Sequence, residues 1–361
     1  MSSGGSSPDS FVRRATLATA KLDALVRSRW GARPRSPEGF ALGAALVGPS
    51  GGADTAEAGD GGGTTAWLYI VDVAHRALGA ALVWGERQEV DELHVLADAE
   101  TGILARRAQW FAVPRPSIWQ VTGTSLIEAE PDPLPPPPHL VAPDPVPELL
   151  DALTEAGVEV VTEGGLVRGE VQGLEVARIV HGESTAGVPL DAPLLEVGVG
   201  AADREMTATV HGALSPFDQL VRAVDIVRQH RRPDAPRHPL NQLVPERWLR
   251  AVLVRDPELV GLASLAPAEG ARPRPNLRDV DVAVALGATP DGAPVVVACS
   301  VGIDVELVPA AADARARLDP GAELWLVVPQ RDDHPITRGL AQRLEAPARV
   351  LTVPDAWRSL A

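Results

Sequence analysis

The run Glu323-Leu324-Trp325-Leu326-Val327-Val328 decides the fold. A short apolar stretch entered through a charge reads as a strand buried on both faces. A loop follows, then a helix-like Ile336–Leu344 and a strand-like Ala348–Val353. Upstream lie an alanine-rich helical stretch, Pro309–Leu318, and another apolar strand, Pro294–Ala298. The same order occurs near the N-terminus as Trp67–Val71, Ala74–Gln88, Glu92-Leu93-His94-Val95-Leu96, Gly102–Phe111 and Ser117–Val121. Strands alternating with helices pair in parallel through right-handed crossovers. The expected class is therefore α/β, with two strand–helix–strand–helix–strand lobes that read as an internal duplication.

Between the lobes, Pro131–Pro147 contains Pro135-Pro136-Pro137-Pro138, a run that favours extended polyproline II and spaces domains. A central α+β segment follows. Pro147–Ala156 reads as a helix, and Val158–Val161, Leu166–Val171, Leu174–Val180 and Leu194–Val199 as strands, three of them parted by Gly164-Gly165 and Gly173. Ser215 ahead of Pro216 is a helix start, and Pro245 opens another helix carrying Trp248, Leu249, Val252 and Leu253. The expected organisation is a disordered tail over 1–10, an N-terminal lobe over 11–130, the linker over 131–147, the central segment over 148–235 and a C-terminal lobe over 236–361. The glycine-rich Pro49–Thr65 joins two strands, Phe40–Val47 and Trp67–Val71. No Gly-Lys-Ser/Thr opens a helix after it, so it reads as a hairpin loop and not a phosphate cradle.

Composition narrows the chemistry. The 361 residues hold 33 Lys+Arg, of which Lys21 is the single lysine, and this removes the Walker loop and Schiff-base enzymes from consideration. A net charge of −15 opposes whole-molecule attraction to nucleic acid or anionic lipid. No apolar run approaches the roughly 20 residues that span a bilayer, and the polar start Met1–Ser7 has no signal-peptide core. The one cysteine, Cys299, excludes an intrachain disulfide, so a reducing cytoplasm is expected. The histidines follow no zinc spacing, and neither a metal nor a cofactor is called for.

Strand candidates also precede the first helix of each lobe, Phe40–Val47 and Val280–Leu286. This order resembles the restriction-endonuclease-like fold of the PD-(D/E)XK nuclease superfamily, over about 100 residues at each end, a domain-sized stretch. That resemblance implies an Asp on the second strand and an Asp/Glu-x-Lys on the third. Asp279 or Asp281 occupies the former place. The latter reads Val295-Val296-Val297-Ala298-Cys299, and the N-terminal lobe offers only Asp72. The resemblance thus implies the scaffold without its metal-dependent activity.

Four groups of residues are candidates for chemistry. Arg228, His230, Arg231, Arg232, Arg237, His238, Arg247 and Arg250 lie in a stretch with six arginines against Asp234 and Glu246, a local +4. It reads as a surface for an anionic ligand, nucleic acid or acidic protein, or else as the cationic end of a helix with salt bridges to an acidic body. Cys299 to Glu306 follows a strand, where a thiolate or Asp304 would meet a ligand; a buried cysteine filling the core is the plainer reading. Asp332, Asp333 and His334 open a helix, as metal ligands or as caps. Glu175 and Glu196, with Asp203-Arg204-Glu205, form the last group: Glu196 or Asp203 for acid–base work, or Glu196 as a carboxylate facing solvent on an edge strand. The expected role is a non-catalytic binding or structural protein of degenerate nuclease-like fold with an Arg/His anion-binding surface. The alternatives are a hydrolase-type enzyme on a small anionic substrate, and a nuclease whose motif has migrated.

Overall fold

A computed structural model describes residues 8–36, 39–50, 63–112, 115–137, 144, 146–209, 215–233, 235–274 and 276–360. The chain is an α/β protein with three sheets. It divides into two compact units, Met1–Pro133 with Arg338–Pro347, and Leu134–Thr337 with Ala348–Ala361. The first boundary falls within the proline-rich run. The central segment and the C-terminal lobe, expected as separate domains, share the second unit.

In the first unit, α1 (Pro8–Trp30) precedes β1 (Gly43–Pro49), β2 (Thr64–Ile70), α2 (Leu78–Arg87), β3 (Glu92–Ala97), α3 (Thr101–Ala108), β4 (Ser117–Thr122) and β5 (Ser125–Glu128). The helix starts at Pro8, inside the expected tail. The strands lie in chain order: β1/β2 and β4/β5 are antiparallel, whereas β2/β3 and β3/β4 are parallel. The antiparallel β1/β2 pair accounts for the glycine-rich stretch as a hairpin connection, of which 51–62 lie outside the described residues. Period-two alternation puts Trp67, Tyr69, Leu96, Trp119 and Val121 against Leu22, Leu25 and Val26 of α1. Three tryptophans surround His94: its ring stacks on Trp67 at 6.0 Å and lies 4.9 Å from Trp30, and its Nδ1 accepts a 3.2 Å bond from Trp119 Nε1. Burial among them holds the imidazole below its usual pKa.

The lone lysine sits here. Lys21 Nζ donates to Tyr69 Oη at 2.7 Å and to Asp98 Oδ1 at 2.8 Å, and Tyr69 Oη donates to the other Asp98 oxygen.

The second unit begins with α4 (Pro147–Glu155), β6 (Glu159–Glu163), β7 (Leu166–Val171), β8 (Leu174–Val180), β9 (Leu194–Val197), α5 (Ala201–Thr209) and α6 (Pro216–His230). The four strands form an antiparallel meander. One face of it is apolar and packs on Leu153 of α4 and Leu220, Val224 and Val227 of α6. Ser215 caps α6, its hydroxyl accepting the Asp218 N–H at 3.1 Å.

There follow α7 (Pro239–Gln242), α8 (Pro245–Arg255), β10 (Ser264–Ala268), β11 (Ala283–Ala288), β12 (Pro294–Cys299), α9 (Leu307–Leu318), β13 (Glu323–Pro329), α10 (Pro335–Gln342) and β14 (Arg349–Val353). Here β10/β11 and β11/β12 are antiparallel, and β12/β13 and β13/β14 parallel. Both five-stranded sheets therefore share an antiparallel hairpin followed by two parallel crossovers. Trp248, Leu249, Val252 and Leu253 of α8 cover one face of the C-terminal sheet, against Val295, Val297 and Trp325.

The opposite side of α8 explains why the central meander belongs to this unit. Arg247 Nη2 contacts both Glu163 oxygens at 2.6 Å, its Nη1 reaches Glu170 at 2.9 Å, and Arg250 Nη2 reaches the other Glu170 oxygen at 2.8 Å. Both guanidiniums and Glu170 are buried. Replacing Glu170 by Gln should cost about 3–5 kcal/mol, because Arg250 would be left buried without a carboxylate; urea unfolding of the variant measures it. In the first unit, folding favours neutral His94. Its contribution should be complete above about pH 6.5, the ordinary imidazole value, and fall as pH drops below it, because the unfolded chain then binds more protons. Tryptophan fluorescence during denaturant titrations between pH 5 and 8 should show this slope, and His94→Asn should flatten it.

Candidate anion-binding cleft

The apolar face of the meander is legible from alternation; its other face is charged. In antiparallel strands, residues directly opposite share a face. Arg168 stands opposite Arg178, Arg178 opposite Glu196, and Glu170 opposite Glu175. The last pairing depends on a register shift at Gly169/Glu170, which leaves Val176 without a partner and brings Glu175 onto the face of Arg178. The β7–β8 turn is built from Gln172 and Gly173, both left-handed (φ 47° and 73°). A Cβ at Gly173 would meet Arg247 O at 2.3 Å, so the glycine also admits α8.

Glu175 is the centre of the charged face. Its carboxylate accepts from Arg168 Nη1 at 2.6 Å, Arg178 Nε at 2.7 Å and Arg204 Nη1 at 3.0 Å. Three guanidiniums thus share one carboxylate in direct hydrogen bonds. Glu163 and Glu196 stand 3.9 Å from Arg168 and Arg204, too far for a hydrogen bond but close enough to offset part of their charge. Arg204 has 5% of its side chain exposed, and its Nε has no hydrogen-bond partner. Burial, opposed by Glu175 but reinforced by Arg178, holds its pKa below the usual guanidinium value. It stays charged at neutral pH.

These arginines line a cleft of about 780 Å³. Gly200, Ala201 and Ala202 form another part of the lining, where β9 passes through Gly198-Val199-Gly200 into α5. Gly198 takes φ 143° and Gly200 φ 83°, and a Cβ on Gly198 would press on Arg204 N at 2.9 Å. The first N–H groups of a helix have no intrahelical acceptor and carry the positive end of its dipole. Asp203 is drawn to the same place, its carboxylate accepting the Val199 N–H at 2.7 Å. The remaining wall is a strap of Arg274 and Asn276–Asp279. Arg274 donates to the buried Glu246, and Asn276 Oδ1 accepts from Arg278 N and Asp279 N at 2.8 and 2.9 Å.

The residues expected to act are dispersed. Of the Arg/His stretch, Arg231, Arg247 and Arg250 are buried and hydrogen-bonded internally, Arg250 with its Nε left unpartnered, which corrects their place on an anion-binding surface. Arg231 donates to the carbonyls of Gln172, Leu240 and Leu243 and lies 4.7 Å over the Trp248 ring. Only Arg247 reaches the cleft. Arg228 is exposed and donates to Gly157 O at 2.7 Å; His230 and His238 stack at 3.8 Å, and Arg232 and Arg237 are exposed. Cys299 is fully buried and its thiol is pushed up to about 12 by desolvation, so it serves as core and not as nucleophile. Asp304 accepts the Glu306 N–H, Asp332 the Gly302 N–H, and His334 Nδ1 the Ile336 N–H. Asp333 follows Asp332 at the end of a 3-10 turn. Glu196 is held by Thr185 through its N–H at 2.6 Å and its hydroxyl. Among the described residues, no group of three or more His, Cys, Asp or Glu is arranged to hold a metal, and no helix is long and apolar enough to cross a membrane.

Sequence reading passed over Arg168, Arg178, Arg274 and Arg278, and took in Arg204 only as the neighbour of Asp203. The available signal was Gly198-Val199-Gly200 with small residues after it, between a strand and an unrecognised helix. The chain matches no protein-family model, no curated protein and no solved structure.

Exchanging Glu175 for Gln should leave three guanidiniums crowded around a neutral amide, at a cost of about 3 kcal/mol or more. Added phosphate should recover part of that loss in a thermal melt, and sodium chloride at equal ionic strength should recover less.

Proposed function

We propose that this protein is a binding protein that captures an organic anion in the arginine-lined cleft of its second unit. The observation that carries this reading is Arg204, buried, short of a hydrogen-bond partner at Nε, and grouped with two further guanidiniums on a single carboxylate. A carboxylate or phosphate entering the cleft would give a further partner to guanidiniums that share one carboxylate, take up N–H donors that Glu175 does not use, and meet the start of α5. Each guanidinium offers five donors.

The lining supports binding over turnover. Its described residues include no His, Cys, Ser, Lys or Tyr. Its carboxylates are Glu175, held by three arginines, and Asp279, which accepts from Asn276 Nδ2 at 2.6 Å. Its hydroxyl, on Thr185, is given to Glu196. Neither a free base nor an available nucleophile faces the space. The shared hairpin-and-crossover order of the two five-stranded sheets supports a nuclease-like scaffold used without its chemistry.

Isothermal titration with inorganic phosphate and with acetate tests the reading. Arg178→Gln should weaken binding about tenfold or more, the range of a charge-assisted bond, whereas Arg237→Gln should leave it unchanged. Sensitivity to Arg237 and Arg232 but not Arg178 would move the site to the exposed loop and overturn the cleft.

A further inference from the structure

Next to the cleft lies a second cavity of about 270 Å³. The two share Leu243, Arg274, Leu277, Arg278 and Asp279, so the same strap walls both. Their chemistry differs sharply. The large chamber is faced by guanidiniums and the start of α5. Seven of the twelve residues of the smaller one are apolar: Pro239, Leu243, Val244, Pro245, Leu277, Val280 and Val301. Val280 is 50% exposed although its neighbours make an apolar hollow.

Hydrogen bonds tie the described residues of the strap to their surroundings. Arg274 is anchored on buried Glu246 and also donates to Asp279 O and, at 2.8 Å, to Asn276 O. Leu277 packs against the core of the meander and faces Gly200, where a Cβ would lie 3.7 Å from its Cδ1. One residue thus borders the anion chamber, the apolar hollow and the entry to α5.

Resting on the anion-binding reading of the cleft, we infer that the ligand is a small amphiphilic organic anion. Its oxyanion head, a carboxylate or phosphate, occupies the arginine chamber, and one apolar substituent of about ring size lies in the hollow beside Leu277 and Val280. The size follows from volume, since an apolar cavity of about 150 Å³ accommodates a benzene ring. The hollow's own charged residues, Arg274 and Arg278 against Glu246 and Asp279, balance in number, so the second charge of a ligand with two separated heads would gain less there than in the arginine chamber while still losing its hydration. The hollow therefore selects the substituent while the arginines select the head.

Titration calorimetry with matched pairs of probes separates the two levels. Inorganic phosphate and acetate report the head alone; phenyl phosphate and phenylacetate add the ring; succinate adds a second charge. The expected result is binding of at least one head-only probe and about tenfold or more tighter binding of its phenyl partner, from burial of the ring. Succinate should bind no tighter than acetate. Val280→Asn, on an exposed side chain, and Val301→Asn, both polar but uncharged, should each erase the gain from the phenyl group while leaving head-only affinity in place, with unfolding in urea confirming that each variant is folded. Binding of phosphate or acetate with no gain from the phenyl group, or a gain that survives both variants, overturns the amphiphilic ligand and leaves the anion site standing. Absence of binding for every probe overturns both. Preference within the phenyl pair identifies the head as carboxylate or phosphate.

Discussion

Burying a charge requires another charge beside it, and the second unit is organised around that requirement. Glu170 is withdrawn from water, and so are the two guanidiniums that reach it from α8. Each alone would be costly to bury; together they are tolerable, and only in one arrangement. This fixes α8 against the meander, and α8 in turn carries Trp248, Leu249 and Leu253 onto the C-terminal sheet. A single helix therefore serves as a polar key on one side and an apolar plate on the other. Arg247 feels the carboxylates strongly enough that its pKa is raised in spite of burial. Glu163 is likewise held low by Arg247 and Arg168 although burial alone would raise it.

Across the same face the balance of charge is uneven. Near Glu159, desolvation reinforced by Glu170 and opposed by Arg250, Arg255 and Arg231 holds the carboxyl above the ordinary range. Around Glu175 three guanidiniums converge on one carboxylate. Such a cluster can present a local site for an anion even in a chain of net charge −15. Global charge governs long-range encounter, whereas the cleft acts within a few ångströms, inside the screening length.

The class of the fold was readable because its cause is local. Period-two and continuous apolar runs fixed β7 and β8 to the residue, and Ser215-Pro216 marked the start of α6. The strand β10 escaped because Ser264–Ala268 contains a proline and little apolar bulk; it survives as an edge strand, where a missing N–H is tolerated. Most of the site was hidden for a different reason. Arginines concentrated in sequence between 228 and 250 look like a surface, yet three of them are interior, because their partners Glu163, Glu170 and the Gln172 carbonyl lie more than fifty residues earlier. Conversely, Arg168, Arg178 and Arg204 are scattered along the chain and converge only through strand register and a bulge. Alternation reports which residues face inward, but not which charge meets which.

Almost all of the positive charge is guanidinium, and this bears on how the molecule can be regulated. Guanidinium stays protonated throughout the biological pH range, so no change of pH switches these groups off. Acylation, the common way to cancel a cationic side chain, acts on amines. The single side-chain amine of the chain, Lys21, is held by Tyr69 and Asp98, which outweigh burial and raise its pKa. It is a guarded ammonium and a poor nucleophile. The cationic pattern of this protein is consequently indifferent to biological pH and to acylation of amines.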